Sequence, residues 1–151
     1  MKKLAKYLVV ALSFLMINIS FAAVTGAPTG LWRTIDDKTG QQKSVVRISL
    51  SGGKLSGTIV KVFPSENMQG NVCTGCTGPY QNKSLIGATI MHGLTQDASN
   101  PSQWSGGTIV DPKDGKSYRC LINFVSNGQI EVRGYIGVSM FGRSQNWYRV
   151  K

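Results

Sequence analysis

Acidic side chains are scarce in this 151-residue chain, with 7 Asp and Glu against 17 Lys and Arg. A paired-carboxylate hydrolase needs two acids facing one cleft. Of Asp36, Asp37, Glu66, Asp97, Asp111, Asp114 and Glu131, most fall in turns or loops, where Asp serves local hydrogen bonding. Histidine is represented only by His92. It has no Ser or Cys nucleophile beside it and the chain has no nucleophile-elbow phrase, so His92 reads as a solvent-exposed strand-end residue and no catalytic residue is assigned. Two thiolates at Cys73 and Cys76 would need two more ligands to hold zinc, and only His92 and Cys120 remain, so no metal and no cofactor are expected. The acidic pair in Asp111-Pro112-Lys113-Asp114-Gly115-Lys116 lacks the further oxygen ligands and late Glu of a calcium loop, and reads as a turn. The basic residues stand singly, with no run of four and no interleaved aromatics, which argues against a nucleic-acid partner.

Long apolar runs are also missing, except at the start. Lys2, Lys3 and Lys6 precede an apolar stretch from Leu8 to Phe21, broken only by Ser13, Asn18 and Ser20. Small residues at Ser20 and Ala22 complete the layout of a signal peptide. A spanning helix needs roughly 20 apolar residues, and this run is shorter and leads into Gly26, Pro28 and Gly30. Residues 1–22 are therefore expected to be cleaved, leaving no membrane span and a single mature domain over 23–151. The address would be periplasmic or extracellular. Removing Lys2, Lys3 and Lys6 leaves 14 basic residues against the same 7 acids, a formal charge of about +7.

No segment sustains a 3.6-residue apolar period, which excludes a helical domain. Short β-branched and aromatic runs repeat instead, predicting strands at about 31–36, 44–50, 55–63, 85–91, 104–110, 117–125, 129–136 and 144–150. Val46, Ile48 and Leu50 share one face, opposite Arg47 and Ser49. Tyr118, Cys120, Ile122 and Phe124 do the same in the sixth strand, whose other face is also partly apolar. Ser51-Gly52-Gly53-Lys54 and Asn127-Gly128 suit hairpins. About eight antiparallel strands with short connections must deal with their edges, and closing into a barrel does so. Such a barrel holds packed side chains or one small ligand.

Cys73-Thr74-Gly75-Cys76 lies in a Gly- and Asn-rich loop from Gln69 to Lys83. Redox CxxC pairs sit at a helix N-terminus in a βαβ unit, so a structural bridge in an oxidising compartment is the better reading. Cys120 falls on an apolar face and reads as a buried free thiol, with a bridge from Cys120 to Cys73 or Cys76 as the other pairing the count allows. Arg133 alternates with Glu131 beside Tyr135. With that face turned inward, Arg133, Tyr135, Arg119 and Arg47 would hold a small anionic ligand such as a carboxylate; turned outward, they are surface residues.

Several phrases occur together: Leu85-Ile86-Gly87-Ala88-Thr89-Ile90; Trp104-Ser105-Gly106-Gly107-Thr108-Ile109-Val110-Asp111-Pro112; Val132-Arg133-Gly134-Tyr135-Ile136-Gly137; and Gly142-Arg143-Ser144-Gln145-Asn146-Trp147-Tyr148-Arg149. With Gly30-Leu31-Trp32, they resemble the domain of unknown function 2147 family of small exported bacterial proteins. The resemblance implies a lipocalin-like (calycin) barrel without an established activity. Members often carry Cys where this chain has Ser56, so any bridge from that position is absent here. Gly30-x-Trp32 is also similar to the lipocalin opening motif, and that likeness implies an Arg from the last strand, here Arg149, stacking on Trp32 to close the barrel.

The expected protein is thus an exported, all-β, antiparallel, up-and-down barrel of the calycin type, taken as a monomer. Its first-choice role is non-enzymatic binding of a small amphipathic or anionic molecule. An envelope structural or interaction module with a packed barrel is the second reading, and a thiol-redox protein using the CxxC loop the third.

Overall fold

The computed structural model describes residues 26–151. The expected signal peptide at 1–22 lies outside the described residues, as does the expected mature start at residue 23.

Eight strands form a closed barrel. They are β1 (Gly30–Ile35), β2 (Gln42–Ser51), β3 (Lys54–Val62), β7 (Thr89–Gln96), β8 (Gln103–Asp111), β9 (Lys116–Ser126), β10 (Gln129–Tyr135) and β11 (Arg143–Arg149). Every neighbouring pair is antiparallel, in the order β1-β11-β10-β9-β8-β7-β3-β2, and β2 returns to β1. Closure leaves no strand edge for another chain to extend. A separate three-stranded sheet of β4 (Met68–Gln69), β5 (Val72–Cys73) and β6 (Lys83–Ser84) is inserted between β3 and β7. Two 3₁₀ turns, Gly78–Tyr80 and Ser139–Phe141, are the only helical turns among the described residues. No helix there is long and apolar enough to cross a membrane.

The period-2 alternation decides which face is inside. In β9, Cys120, Ile122 and Phe124 are buried, while Arg119 and Val125 are exposed. In β2, Val46 and Ile48 are buried and Arg47 and Ser49 exposed. Leu50, expected to join them, is 45% exposed because the strand has already passed the barrel's end and entered the hairpin. That hairpin turns on Gly52 and Gly53, whose φ of 56° and 74° suits glycine.

One barrel strand departs from its predicted span. The stretch at 85–91 is strand only from Thr89, and it continues to Gln96. Gly87, at φ 84°, bends the chain, and Leu85 drops into the core cluster beside Cys73 and Cys76. The loop expected between Gln69 and Lys83 is organised by the small sheet, whose two-residue strands are too short to show a period.

One end of the barrel is solid. Trp32, Ile48, Leu55, Leu94, Ile122 and Ile130 are completely or almost completely buried there. Trp32 donates its indole N–H to the Pro28 carbonyl at 2.8 Å, and Trp104 donates to that of Gly26 at 3.3 Å, so the entering segment plugs the bottom. Phe124 meets Trp32 edge-on at 6.4 Å. Gly107 lets β7 approach β8: a Cβ there would fall on the His92 carbonyl oxygen and the Leu94 nitrogen.

Candidate functional site: a cavity at the open end of the barrel

The opposite end is hollow. A cavity of about 1120 Å³ opens there to solvent. Its depth is apolar, lined by Ile59, Ile90, Ile109, Val132 and Trp147. Each comes from a different strand, at the inward position of the alternation. Gly134 contributes room: a Cβ added to it would meet Tyr118 and Ile109 at 3.5 and 3.6 Å, both of them cavity residues.

Polar groups in the wall are already paired. The Thr34 and Ser44 hydroxyls lie 2.9 Å apart, and Thr34 Oγ1 also accepts the Ser44 N–H at 3.1 Å. Trp147 donates its indole N–H to Gln145 Oε1 at 3.1 Å. Tyr118 donates its hydroxyl to Asp114 Oδ2 at 3.3 Å; burial first, then the Asp114 charge, pushes its pKa up. The middle of the wall therefore presents little unmet hydrogen bonding.

Charge gathers at the rim and is balanced, with Asp36, Glu66 and Asp111 against Lys43, Lys113 and Arg143. Arg143 forms a fork on Asp37, with Nε donating to Oδ2 at 2.6 Å and Nη2 to Oδ1 at 2.5 Å. The guanidinium's hydrogen bond holds the Asp37 carboxyl below its usual range, and the carboxylate raises Arg143 in turn. Burial pushes Asp36 up. Backbone N–H groups of Thr39 and Lys38 and the charge of Lys43 outweigh that and hold it at about 2.

The segment between β3 and β7 forms part of the cavity wall. Cys73 and Cys76 are joined by a disulfide, are each 3% exposed, and line the cavity with Leu85 and Met68. The bridged loop is tied at both sides: Gly75 N–H donates to the Asn67 carbonyl at 3.0 Å, and Thr77 N–H to that of Lys113 at 2.9 Å. Cys120 is free and buried, and burial pushes its thiol up to about 12. His92 is exposed mid-strand in β7 rather than at a strand end, with Nε2 3.1 Å from the Thr89 carbonyl. Among the described residues no three of His, Cys, Asp or Glu come together to hold a metal ion.

None of Arg47, Arg119, Arg133 and Tyr135 lines this cavity. With Val132 and Gly134 inward, alternation turns Arg133 and Tyr135 to the outer wall of β10. Arg133 there donates to the Ser139 carbonyl at 2.6 Å, the Ser144 hydroxyl at 2.8 Å and the Met140 carbonyl at 3.0 Å. Arg119 stands over the Tyr135 ring at 5.8 Å, and Arg47 is exposed on β2. Sequence reasoning missed Arg143, Gln145 and Trp147, which share one face of β11; their period-2 spacing was the available signal. At the closed end, Arg149 lies over Trp32 with its guanidinium carbon 4.3 Å from the ring centre, and donates through Nη1 to the Thr29 carbonyl at 2.9 Å.

Residues 30–149 match a family described as "Uncharacterized protein conserved in bacteria (DUF2147)". Among curated proteins, none matches. Among solved structures the chain is similar to the protein HP1028 of Helicobacter pylori, described as belonging to the lipocalin family. The TM-score is 0.66 at 20% identity, over 84% of this chain and 85% of that one. At that identity the likeness speaks for the fold.

Proposed function

The chain belongs to the DUF2147 family of proteins conserved in bacteria, and from that premise we propose that its barrel carries a small amphipathic molecule. The observation that supports this reading is the open cavity of about 1120 Å³, apolar in its depth and charged only at its rim. Cavities of roughly 300–1,000 Å³ accept drug-sized ligands, so this one takes a molecule with a substantial apolar part. That part would lie against Ile59, Ile109 and Trp147, with a polar head among the rim charges. Arg143 and Lys43 are already engaged by Asp37 and Asp36, which favours an amphipathic ligand over a simple small anion. The space is hard to reconcile with a barrel packed solid. A redox role for Cys73 and Cys76 is disfavoured by their setting, a loop between two-residue strands and not the N-terminus of a helix.

Residues 1–22 are proposed to export the domain to the periplasm or beyond, where a buried Cys73–Cys76 bridge is chemically at home. Protein isolated from its host should begin at Ala23; an intact Met1 would overturn that.

The carrier reading is tested with a dansyl-labelled fatty acid. Excitation of tryptophan should give saturable energy transfer, one probe per chain, with Trp147 in the cavity as the principal donor. Gly134→Phe should weaken this by occupying the part of the cavity beside Tyr118 and Ile109, while leaving the melting temperature close to wild type. Native mass spectrometry of host-derived protein should show a retained mass increment. No saturable uptake by the wild type, or undiminished uptake by Gly134→Phe, would sink the reading.

A further inference from the structure

Four large apolar side chains project into solvent from one short loop. Ile136 is 74% exposed, Val138 57%, Met140 78% and Phe141 81%. The loop joins β10 to β11, and Gly134 near the end of the one and Arg143 at the start of the other both line the cavity. Exposed apolar residues scattered singly need no explanation, whereas four within six positions do.

This loop is held in shape. Arg133 spreads its guanidinium over the carbonyls of Ser139 and Met140 and the hydroxyl of Ser144. The Ser139–Phe141 turn is closed by Phe141 N–H to the Val138 carbonyl at 3.3 Å and Gly142 N–H to that of Ser139 at 3.0 Å. At the base Gly142 is packed so closely that a Cβ would meet the Gly134 carbonyl oxygen at 2.7 Å and Tyr135 Cβ at 2.8 Å. The polar groups of the loop are thus turned back onto the barrel while its apolar side chains are turned out.

Its own seven residues, 136–142, are uncharged, and the rim beside it carries acids (Asp36, Glu66, Asp111) as well as bases, so the positive excess is that of the domain as a whole. Arg119 is exposed beside Tyr135 at the loop's base. Lys38 and Lys113, on turns at the same end of the barrel, are exposed and have no acidic partner among the described residues. Residues 26–151 carry 14 basic and 7 acidic side chains.

We propose that this loop is an insertion loop that docks the cavity mouth on an anionic lipid bilayer. Apolar side chains entering the headgroup–acyl boundary, aided by nearby basic residues, are the two contributions that bind a protein to such a surface. A protein partner fits less well, since a stable interface buries roughly 800 Å² on each side and a single loop tip offers less. The proposal goes beyond the carrier reading and does not require it: vesicle binding reads the loop, and the Gly134→Phe variant reads the cavity.

Flotation of residues 23–151 with phosphatidylglycerol-containing vesicles, against pure phosphatidylcholine vesicles, tests it. Binding should favour the anionic vesicles and weaken as salt is raised. The double variant Met140→Ser, Phe141→Ser should lose roughly a hundredfold in partitioning, with its melting temperature and fatty-acid uptake unchanged. A Phe141→Trp variant should blue-shift on binding and be quenched by lipids brominated in their acyl chains. The proposal is overturned if the wild type ignores anionic vesicles at low salt, or if the double variant binds equally well. It is also overturned if sedimentation shows a dimer that the same substitutions dissociate, which would make the loop a self-association surface.

Discussion

Arg149 of the last barrel strand lies over Trp32 of the first, 4.3 Å from guanidinium carbon to ring centre, and ties itself to the Thr29 and Asn127 carbonyls. The contact joins β1, β11, the β9–β10 turn and the entering segment at the closed end. Gly30 makes room for it: a Cβ there would sit 2.6 Å from Arg149 Nη1, and its φ of 117° is one that side chains avoid.

Trp32 is fully buried, so the cation faces a desolvated ring, and such a pair contributes on the order of 2 kcal/mol. In a double-mutant cycle of Trp32→Phe and Arg149→Met, followed by urea unfolding, the coupling is expected at about 1–2 kcal/mol. Additive effects would show that each residue acts by separate packing. Gly30→Ala should destabilise in both backgrounds, because its φ strains any side chain, and by somewhat less with Arg149→Met, where the clash with Nη1 is gone.

How much of this was legible in the sequence depends on which property is asked about. Val46 and Ile48, or Ile122 and Phe124, announce strand and face by simple alternation, because a barrel wall has one dry side. Leu85-Ile86-Gly87-Ala88 has the composition of a strand, but one glycine turns the chain there, and composition does not carry φ. The cavity is harder still. A chain of this size closes equally well over a packed or a hollow interior, and the difference rests on details such as a glycine at inward position 134, beside Ile109 and Val132. Arg133 and Tyr135 drew attention as polar residues among apolar neighbours. Ile130 and Val132 beside them already said which side was dry.

The bridge between Cys73 and Cys76 closes a very short loop, so its effect on the unfolded chain is modest, about 2 kcal/mol by loop closure. Cys73→Ala, Cys76→Ala should therefore fold, with a melting temperature lower by roughly 5–10 °C. Both cysteines line the cavity, so the same variant should also take up fatty acid more weakly. Lower stability with unchanged uptake would mean that the bridged loop is a staple and not a working wall of the site.

At the rim, Asp36 titrates at about 2 instead of the ordinary 3.8, and Asp37 is also lowered. A carboxyl whose pKa is lower in the folded chain stabilises the fold fully above its unfolded value. That contribution is lost as pH falls through the folded one. Stability should accordingly drop between about pH 4 and pH 2. Asp36→Asn keeps an oxygen for the Lys38 and Thr39 N–H groups but carries no charge, so its stability should fall less steeply over that interval. Identical slopes for the two proteins in acid unfolding would place the sensitivity elsewhere.

Cys120 should act at the other end of the pH scale. Burial raises its thiol from 9.0 to about 12, so the folded chain keeps the proton after the unfolded chain has lost it. Between those values the folded state binds more protons than the unfolded one, and stability must fall as pH rises. Cys120→Ala removes the titration at the cost of a small cavity, about 1 kcal/mol or less. Denaturation curves from pH 8.5 to 11 should converge, with the variant weaker at the low end and losing less towards the high end. The native thiol should also resist iodoacetamide at pH 8, because alkylation needs a thiolate within reach of solvent. Rapid labelling of the folded protein would mean that the barrel opens around Cys120, since that side chain is fully buried when it is closed.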